Sequence, residues 1–347
     1  MRVLVAGQGL AGTLVSREGL LRHWDVQVVD AGLPSASSVA AGMYNPMSFR
    51  RIVEVWDAPV HLDAMVETYR DFEQVLGQAL LHPLPIYKRI PNAEYASDWN
   101  GKAASSPWIS DVLTPSSAET AHLPPSQDGY GRVDGGGWLN LPLLIASWRE
   151  HLTELGRFTL RGLNEQDQHD LDQGQWDAII DCRGWSARAS TIGPQLDIRA
   201  NRGEILTVKT GAMHPCPPPD SILNFGKWTL PLEHHSWRLG ASYEWNRTDL
   251  DPTPETADFL VSALSSQWEG ALATTVVQHE AGIRPVSRDR RPAVGPVPGC
   301  PGWHVFNGLG TRGVLIGPRW AHHLGDIVDG RIGPHPETDP SRLVLSA

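Results

Sequence analysis

Apolar positions along this chain fall into two rhythms, and the order of those rhythms lays out its architecture. Arg2–Ala6 (RVLVA) is a short continuous apolar run of the kind found in strands buried on both faces. Glycines interrupt it over residues 7–12 (GQGLAG), after which Leu10–Leu21 repeats apolar positions at helical spacing. A second strand-like run, residues 26–29, ends on Asp30. Strand, glycine turn, helix and strand make one βαβ unit, and its right-handed crossover starts a parallel, doubly wound sheet.

Beyond this unit the pattern changes. Small, turn-forming residues fill 35–46, and a helical pattern returns from about 60 to 76. Residues 92–127 are polar and contain Pro and Ser, which reads as peripheral helices and loops. A glycine cluster at 129–137 precedes a predicted helix over 139–155, where Pro142 falls early enough to be tolerated. Residues 176–182 (WDAIIDC) read as a buried strand closed by Gly184. Three short runs, 204–208, 227–232 and 237–242, have hairpin-like spacing and predict an antiparallel sheet distinct from the parallel one. The end of the chain returns to strand (WHVF from Trp303), glycine loop (NGLGTRG) and helix (VLIGPRWAHHLGDIV).

The predicted fold class is therefore α/β: a Rossmann-type domain with a doubly wound parallel sheet and an inserted antiparallel-sheet substrate domain. The expected boundaries are 1–80, 129–200 and 275–347 for the nucleotide-binding part, and 81–128 and 201–274 for the substrate part.

Composition narrows the function. The chain has 347 residues, 41% hydrophobic, enough to bury the core of two joined domains. Its formal charge is -10 and the basic residues are scattered, which argues against a nucleic-acid partner. No apolar stretch approaches the roughly 20 residues of a membrane span, and no cleavable signal pattern precedes the first strand, so a cytoplasmic protein is expected. Cys182, Cys216 and Cys300 lie far apart, without a zinc-like or disulfide-like spacing. The histidine pairs His234–His235 and His322–His323 point to different sides of whatever element carries them, and no metal is expected.

The first glycine turn carries chemistry. Gly7, Gly9 and Gly12 have the G-x-G-x-x-G spacing that brings backbone N–H donors, with Leu10 and Ala11 between them, to a pyrophosphate at a helix N-terminus. Asp30 ends the second strand at the distance where a carboxylate accepts from ribose hydroxyls. This fingerprint does not by itself separate NAD from FAD.

Further segments resemble the D-amino-acid oxidase and glycine oxidase family of FAD-dependent oxidoreductases. Residues 37–43 (SSVAAGM) look like the family's segment around the FAD pyrophosphate and flavin ring, which carries Ser38, Ala41, Gly42 and Met43 over as cofactor contacts. Residues 282–295 (GIRPVSRDRRPAVG) resemble the family's Gly-Leu-Arg-Pro segment, in which Arg284 matches the substrate-carboxylate arginine. Residues 308–318 (GLGTRGVLIGP) resemble its closing glycine loop, implying flavin contacts at Gly310, Thr311, Arg312, Gly313 and Val314. The family's arginine aligns with Thr311, so Arg312 is displaced by one. Residues 202–208 and 229–232 resemble strands of the family's substrate domain, with Trp228 where tyrosine is common; residues 179–186 resemble the strand whose glycine, here Gly184, packs near FAD.

The resemblance implies noncovalent FAD and a small amine or amino acid oxidised at its C–N bond by hydride transfer to flavin N5. The cofactor carries that chemistry, so no acid–base triad is required. Arg50 and Arg51 follow the flavin loop, where a cation would aid reduction or oxygen chemistry; tandem arginines after a loop are otherwise solvated. Two alternatives stand beside this reading. One is a flavoenzyme of the same fold acting on an opine-like secondary amine or a hydroxy acid; the other is an NAD-dependent dehydrogenase that needs only the N-terminal fingerprint.

Overall fold

A computed structural model describes residues 1–210, 217–233, 235–245, 247–267 and 273–344. Cys216 and His234 lie outside the described residues. Two main sheets organise them. The first has six strands in the order Phe158–Leu160, Asp25–Asp30, Arg2–Ala6, Ala178–Asp181, Trp303–Asn307 and Ala293–Pro296. Its strands are parallel except the last, which runs antiparallel to Trp303–Asn307. Arg2–Ala6 is central, with Val3 in register with Val26 on one side and Ala178 on the other, and Val3 and Val5 are fully buried. The continuous apolar run follows from this position, since a central strand covered on both faces has no solvent side.

The Leu10–Leu21 helix packs onto this sheet beneath the helices Ala58–Leu76, Leu141–Glu154 and Gly313–Val328. Even its polar residues are covered: Ser16 Oγ accepts from Trp148 Nε1 at 2.8 Å, and Arg17 pairs with Asp71 at 2.8 Å. The helix expected from residue 60 begins at Ala58, and the one expected from 139 begins at Leu141, because Asn140 accepts from the Leu143 N–H and caps it there.

The second sheet has seven strands: Thr274–Ser287, Ile198–Thr210, Ser236–Gly240, Trp228–Pro231, Ile222–Asn224, Ile86–Arg89 and Tyr130–Val133. All neighbours are antiparallel except Ile222–Asn224 with Ile86–Arg89. Tyr130–Val133 lies inside the glycine cluster of 129–137. Gly131 belongs in this strand because fully buried Trp99 lies against it; a Cβ there would sit 2.3 Å from the indole. The divisions expected at 128/129 and 274/275 run through this sheet, since both of its outermost strands fall on the nucleotide side of them. A small third sheet pairs Met43–Tyr44 with Gly137–Leu139, and Gly137–Leu139 with Leu81–Pro83. Among the described residues, no helix is long and apolar enough to cross a membrane.

The Gly313–Val328 helix carries Pro318 in its interior, which removes the N–H that would bond the carbonyl four residues earlier. That carbonyl is Val314 O, and the fully buried Tyr69 donates its hydroxyl to it at 3.0 Å. Burial pushes the Tyr69 phenol well above its ordinary pKa, so the donor proton is kept at all working pH values. Tyr69→Phe therefore leaves a buried carbonyl unpaired, with an expected loss of about 1–3 kcal/mol in a urea unfolding experiment. An unchanged unfolding midpoint would show that Val314 has another donor.

Candidate active site

A cavity of about 540 Å³ lies between the two sheets, within the size range of ligand sites. Ala6, Asp30, Cys182 and Asn307, at the carboxyl ends of the parallel strands, line one side of it. Gly203, Ile205, Trp228 and Arg284 from the antiparallel sheet line the other. Ligands of open α/β sheets bind at this end of the strands.

At the parallel-sheet end, the turn from Gly7 to Gly12 is packed backbone against backbone. Gly7 has φ +97°, and a Cβ on it would stand 2.8 Å from Cys182 O. On Gly12 a Cβ would stand 1.8 Å from Gly7 O. No side chain caps the following helix at Gly9, and Ser37 Oγ accepts from Leu10 N at 3.1 Å. The Asp30 carboxylate is fixed beside them, accepting from Gln8 N at 2.6 Å and Gly32 N at 2.7 Å. A helix N-terminus with no side-chain cap of its own, only its first N–H met by Ser37, and a carboxylate beside it fit the pyrophosphate and ribose of a dinucleotide.

The antiparallel end holds a cation of different standing. Arg284 is largely buried, and its Nη1 donates to Asn201 Oδ1 at 3.1 Å. The Tyr243 ring lies 4.7 Å from the guanidinium carbon, and Gly203 forms the floor, where a Cβ would be 2.3 Å from Nη1. Burial lowers the proton affinity of Arg284, with Tyr243 acting in the opposite direction. No carboxylate of the described residues forms an ion pair with it. A guanidinium stays charged, so an anion entering the cavity would meet a cation without a counter-ion here.

Most of the residues expected from sequence meet at this cavity. Gly7, Gly9, Leu10, Ala11, Asp30, Ala41, Gly42, Met43, Gly184, Trp228, Arg284, Gly310, Thr311, Gly313 and Val314 line it, and Gly12 supports it from behind. Four do not. Ser38 forms a capping box with Ser35, donating its hydroxyl to Ser35 O at 2.8 Å, so the neighbouring Ser37 faces the cavity in its place. The Ser35-x-x-Ser38 spacing is itself a capping signal that would have separated the two serines. Arg50 and Arg51 are exposed and away from the cavity; the Arg51 carbonyl accepts from Lys102 Nζ. Arg312 is exposed at the N-cap of the last helix, outside the lining.

Other residues entered through tertiary packing alone. Asn307 donates to Gly184 O at 2.9 Å and accepts from Gly308 N at 2.7 Å, joining two glycine loops. Arg183 lines the cavity while paired with Asp181 at 2.7 Å. Arg238, mostly buried, donates to Val39 O at 2.7 Å and so holds the start of the Ala41–Gly42 turn against the antiparallel sheet.

The cavity thus joins a glycine turn of dinucleotide-binding form on a parallel sheet to a second sheet that presents Arg284, a largely buried cation without an acidic partner among the described residues. The sequence matches the family described as FAD dependent oxidoreductase over residues 2–327, and the chain belongs to that family. Its cofactor is therefore FAD, and the NAD alternative falls. A glycine oxidase of Pseudomonas aeruginosa is 24% identical, with 99% of both chains covered. Among solved structures, a glycine oxidase from Geobacillus kaustophilus matches with a TM-score of 0.77 at 18% identity, covering 98% of this chain and 99% of that one. An iminodiacetate oxidase from Chelativorans sp. BNC1 matches with a TM-score of 0.75 at 19% identity and the same coverage.

Gly12→Ala forces the 1.8 Å contact with Gly7 O and must displace the turn. The expected cost is about 1–3 kcal/mol, or roughly ten- to hundredfold weaker FAD binding, read from the flavin-to-protein ratio and from FAD titration of the apoprotein.

Proposed function

We propose that the enzyme oxidises the C–N bond of a small amine bearing a carboxylate, most simply an amino acid, with FAD held noncovalently. The observation that carries this reading is Arg284: a largely buried guanidinium with an amide and an aromatic face as neighbours and no acidic partner among the described residues. Such a group grips a carboxylate through paired hydrogen bonds and thereby orients the substrate's α-carbon. The names of the glycine oxidase and iminodiacetate oxidase relatives, whose substrates are amines with carboxylates, support the same class.

Bound FAD supplies the hydride-acceptor chemistry at N5. The chain's own residues position and exclude. In this reading Gly9 and Ala11 would present backbone N–H groups to the pyrophosphate, Gly7 would shape the turn while its own N–H is held by Val29 O at 2.7 Å, Ser37, which accepts from Leu10 N, would add its hydroxyl, and Asp30 would take the ribose. Ala41, Gly42, Met43 and Gly184, which line the cavity, would lie against the flavin. The loop of Gly310, Thr311, Gly313 and Val314 would hold the flavin with the positive end of the Gly313–Val328 helix, which would favour negative charge on the reduced ring. Trp228, only 8% exposed, seals the substrate side from water. The six-stranded sheet would serve as the nucleotide part and the seven-stranded sheet as the substrate part, in a cytoplasmic enzyme.

A hydroxy acid or an opine-like secondary amine would also place a carboxylate on Arg284. The distinguishing experiment is an anaerobic absorbance spectrum of the holoenzyme with glycine, sarcosine, D-amino acids, secondary amines and hydroxy acids. Bleaching of the flavin band by amines and not by hydroxy acids supports the reading, and the reverse overturns it. Arg284→Ala should cost about 2–5 kcal/mol of carboxylate binding, raising KM by about 30-fold or more while flavin content stays at the wild-type level. Unchanged KM would remove Arg284 from the substrate site.

A further inference from the structure

The substrate end of the cavity has a composition that limits what can accompany the carboxylate. Arg284 lies over Gly203, and the Trp228 indole lies over Gly240, where a Cβ would be 2.6 Å from the ring. Gly203 and Gly240 sit on adjacent strands, with Ile205 in register with Gly240, so the cation and the indole stand side by side on one face of the sheet. Tyr243 roofs the guanidinium with one face of its ring and is 55% exposed, leaving the remainder of the ring free for a ligand.

This wall is anchored. Fully buried Arg202 pairs with Glu204 at 2.6 Å and Glu244 at 2.9 Å, and donates to the carbonyls of Asp249 and Asp251. Those bonds hold the segment that carries Tyr243, Thr248 and Leu250 to the cavity. Among the described lining residues only Asp30, Arg183 and Arg284 carry charge. Asp30 is occupied by backbone N–H groups at the glycine turn, and Arg183 is paired with Asp181. A second charged group on the substrate would meet indole, phenol and aliphatic side chains, and burying it there without a partner is costly.

Resting on the reading of Arg284 as the carboxylate site, we propose that the substrate carries a single carboxylate and an uncharged apolar or aromatic substituent, which lies against Trp228 and Tyr243. Dicarboxylic amines are excluded from efficient use. An aromatic substituent gains twice, from apolar area removed from water and from stacking beside the cation.

The test is an anaerobic titration of the holoenzyme with acetate, phenylacetate and malonate, reading the perturbation of the flavin visible band. Phenylacetate should bind at least about tenfold tighter than acetate, and malonate no tighter than acetate. Tyr243→Ala and Trp228→Ala should each raise the phenylacetate Kd towards that of acetate; Tyr243 is half exposed, so its variant keeps the test sound even where the tryptophan variant is less stable. Equal Kd values for acetate and phenylacetate in the wild type, or malonate binding tenfold tighter than acetate, overturn the inference while Arg284 keeps its role. Wild-type affinity of Arg284→Ala for all three ligands instead overturns the carboxylate reading on which the inference rests.

Discussion

The antiparallel ladder between Ile198–Thr210 and Thr274–Ser287 sets the spacing between the two ends of the cavity, and the site depends on its register. It places Arg284 opposite Asn201 and Gly282 opposite Gly203. At its far end Pro285 O accepts from Gly310 N at 3.0 Å and Val286 bridges to Leu309, tying the last glycine loop to the sheet. Gly282 leaves only 3.4 Å between its would-be Cβ and Val39, so the short Ala36–Val39 helix rests directly on the strand. Side chains alternate along a strand. A slip of one residue would turn Arg284 out of the cavity and put Ile283 or Pro285 in its place, while also moving the glycine loop by one peptide.

Buried charge divides this sheet into support and site. Arg202 and Arg284 are two strand positions of the same ladder, and each brings a guanidinium out of water. Arg202 finds Glu204, Glu244 and two carbonyls, and Glu204 in turn accepts from Thr253 and lies 2.6 Å from His279. The arginine, the Thr253 bonds and the surrounding charge hold the Glu204 carboxyl below its ordinary range despite burial. Arg238 is occupied by the Val39 carbonyl and by Glu280 at 3.7 Å. Among the described residues Arg284 has only Asn201 and Tyr243. A desolvated ion without a counter-ion is tolerable in the folded protein when a ligand completes it, which makes the unequal treatment of these three arginines an argument about function as well as stability.

Much of this was legible in the residues. The βαβ opening, the glycine turn, Asp30 and the closing strand–loop–helix emerged from apolar periodicity because central parallel strands and their covering helices have little freedom in composition. Tyr130–Val133 was obscured by the glycines around it, since Gly131 is there to admit Trp99, a partner thirty-two residues away in sequence. Ser37 and Ser38 are neighbours of one chemistry, and only the direction of a single turn of helix separates a cavity hydroxyl from a capping one. Arg312 sits between the cavity residues Thr311 and Gly313 yet is exposed and outside the lining, and Arg50 and Arg51 are exposed because the lining of their segment ends at Met43, several residues before them.

The sequence by itself determined the two-sheet architecture and the dinucleotide turn, which rest on local periodicity and glycine spacing, and the presence of an arginine in the Gly-x-Arg-Pro segment, which rests on resemblance to the family. Tertiary structure alone decided that Arg284 stands without a carboxylate among the described residues, that Gly203 and Gly240 make floors for a guanidinium and an indole, and that Tyr243 is held over the cation by a segment clamped through Arg202. Those facts depend on strand register and on which distant side chains compete for each buried charge. Neither is encoded in spacing along the chain, because hydrogen-bond partners are settled by proximity after folding and a glycine's purpose appears only when the side chain that fills its space is known.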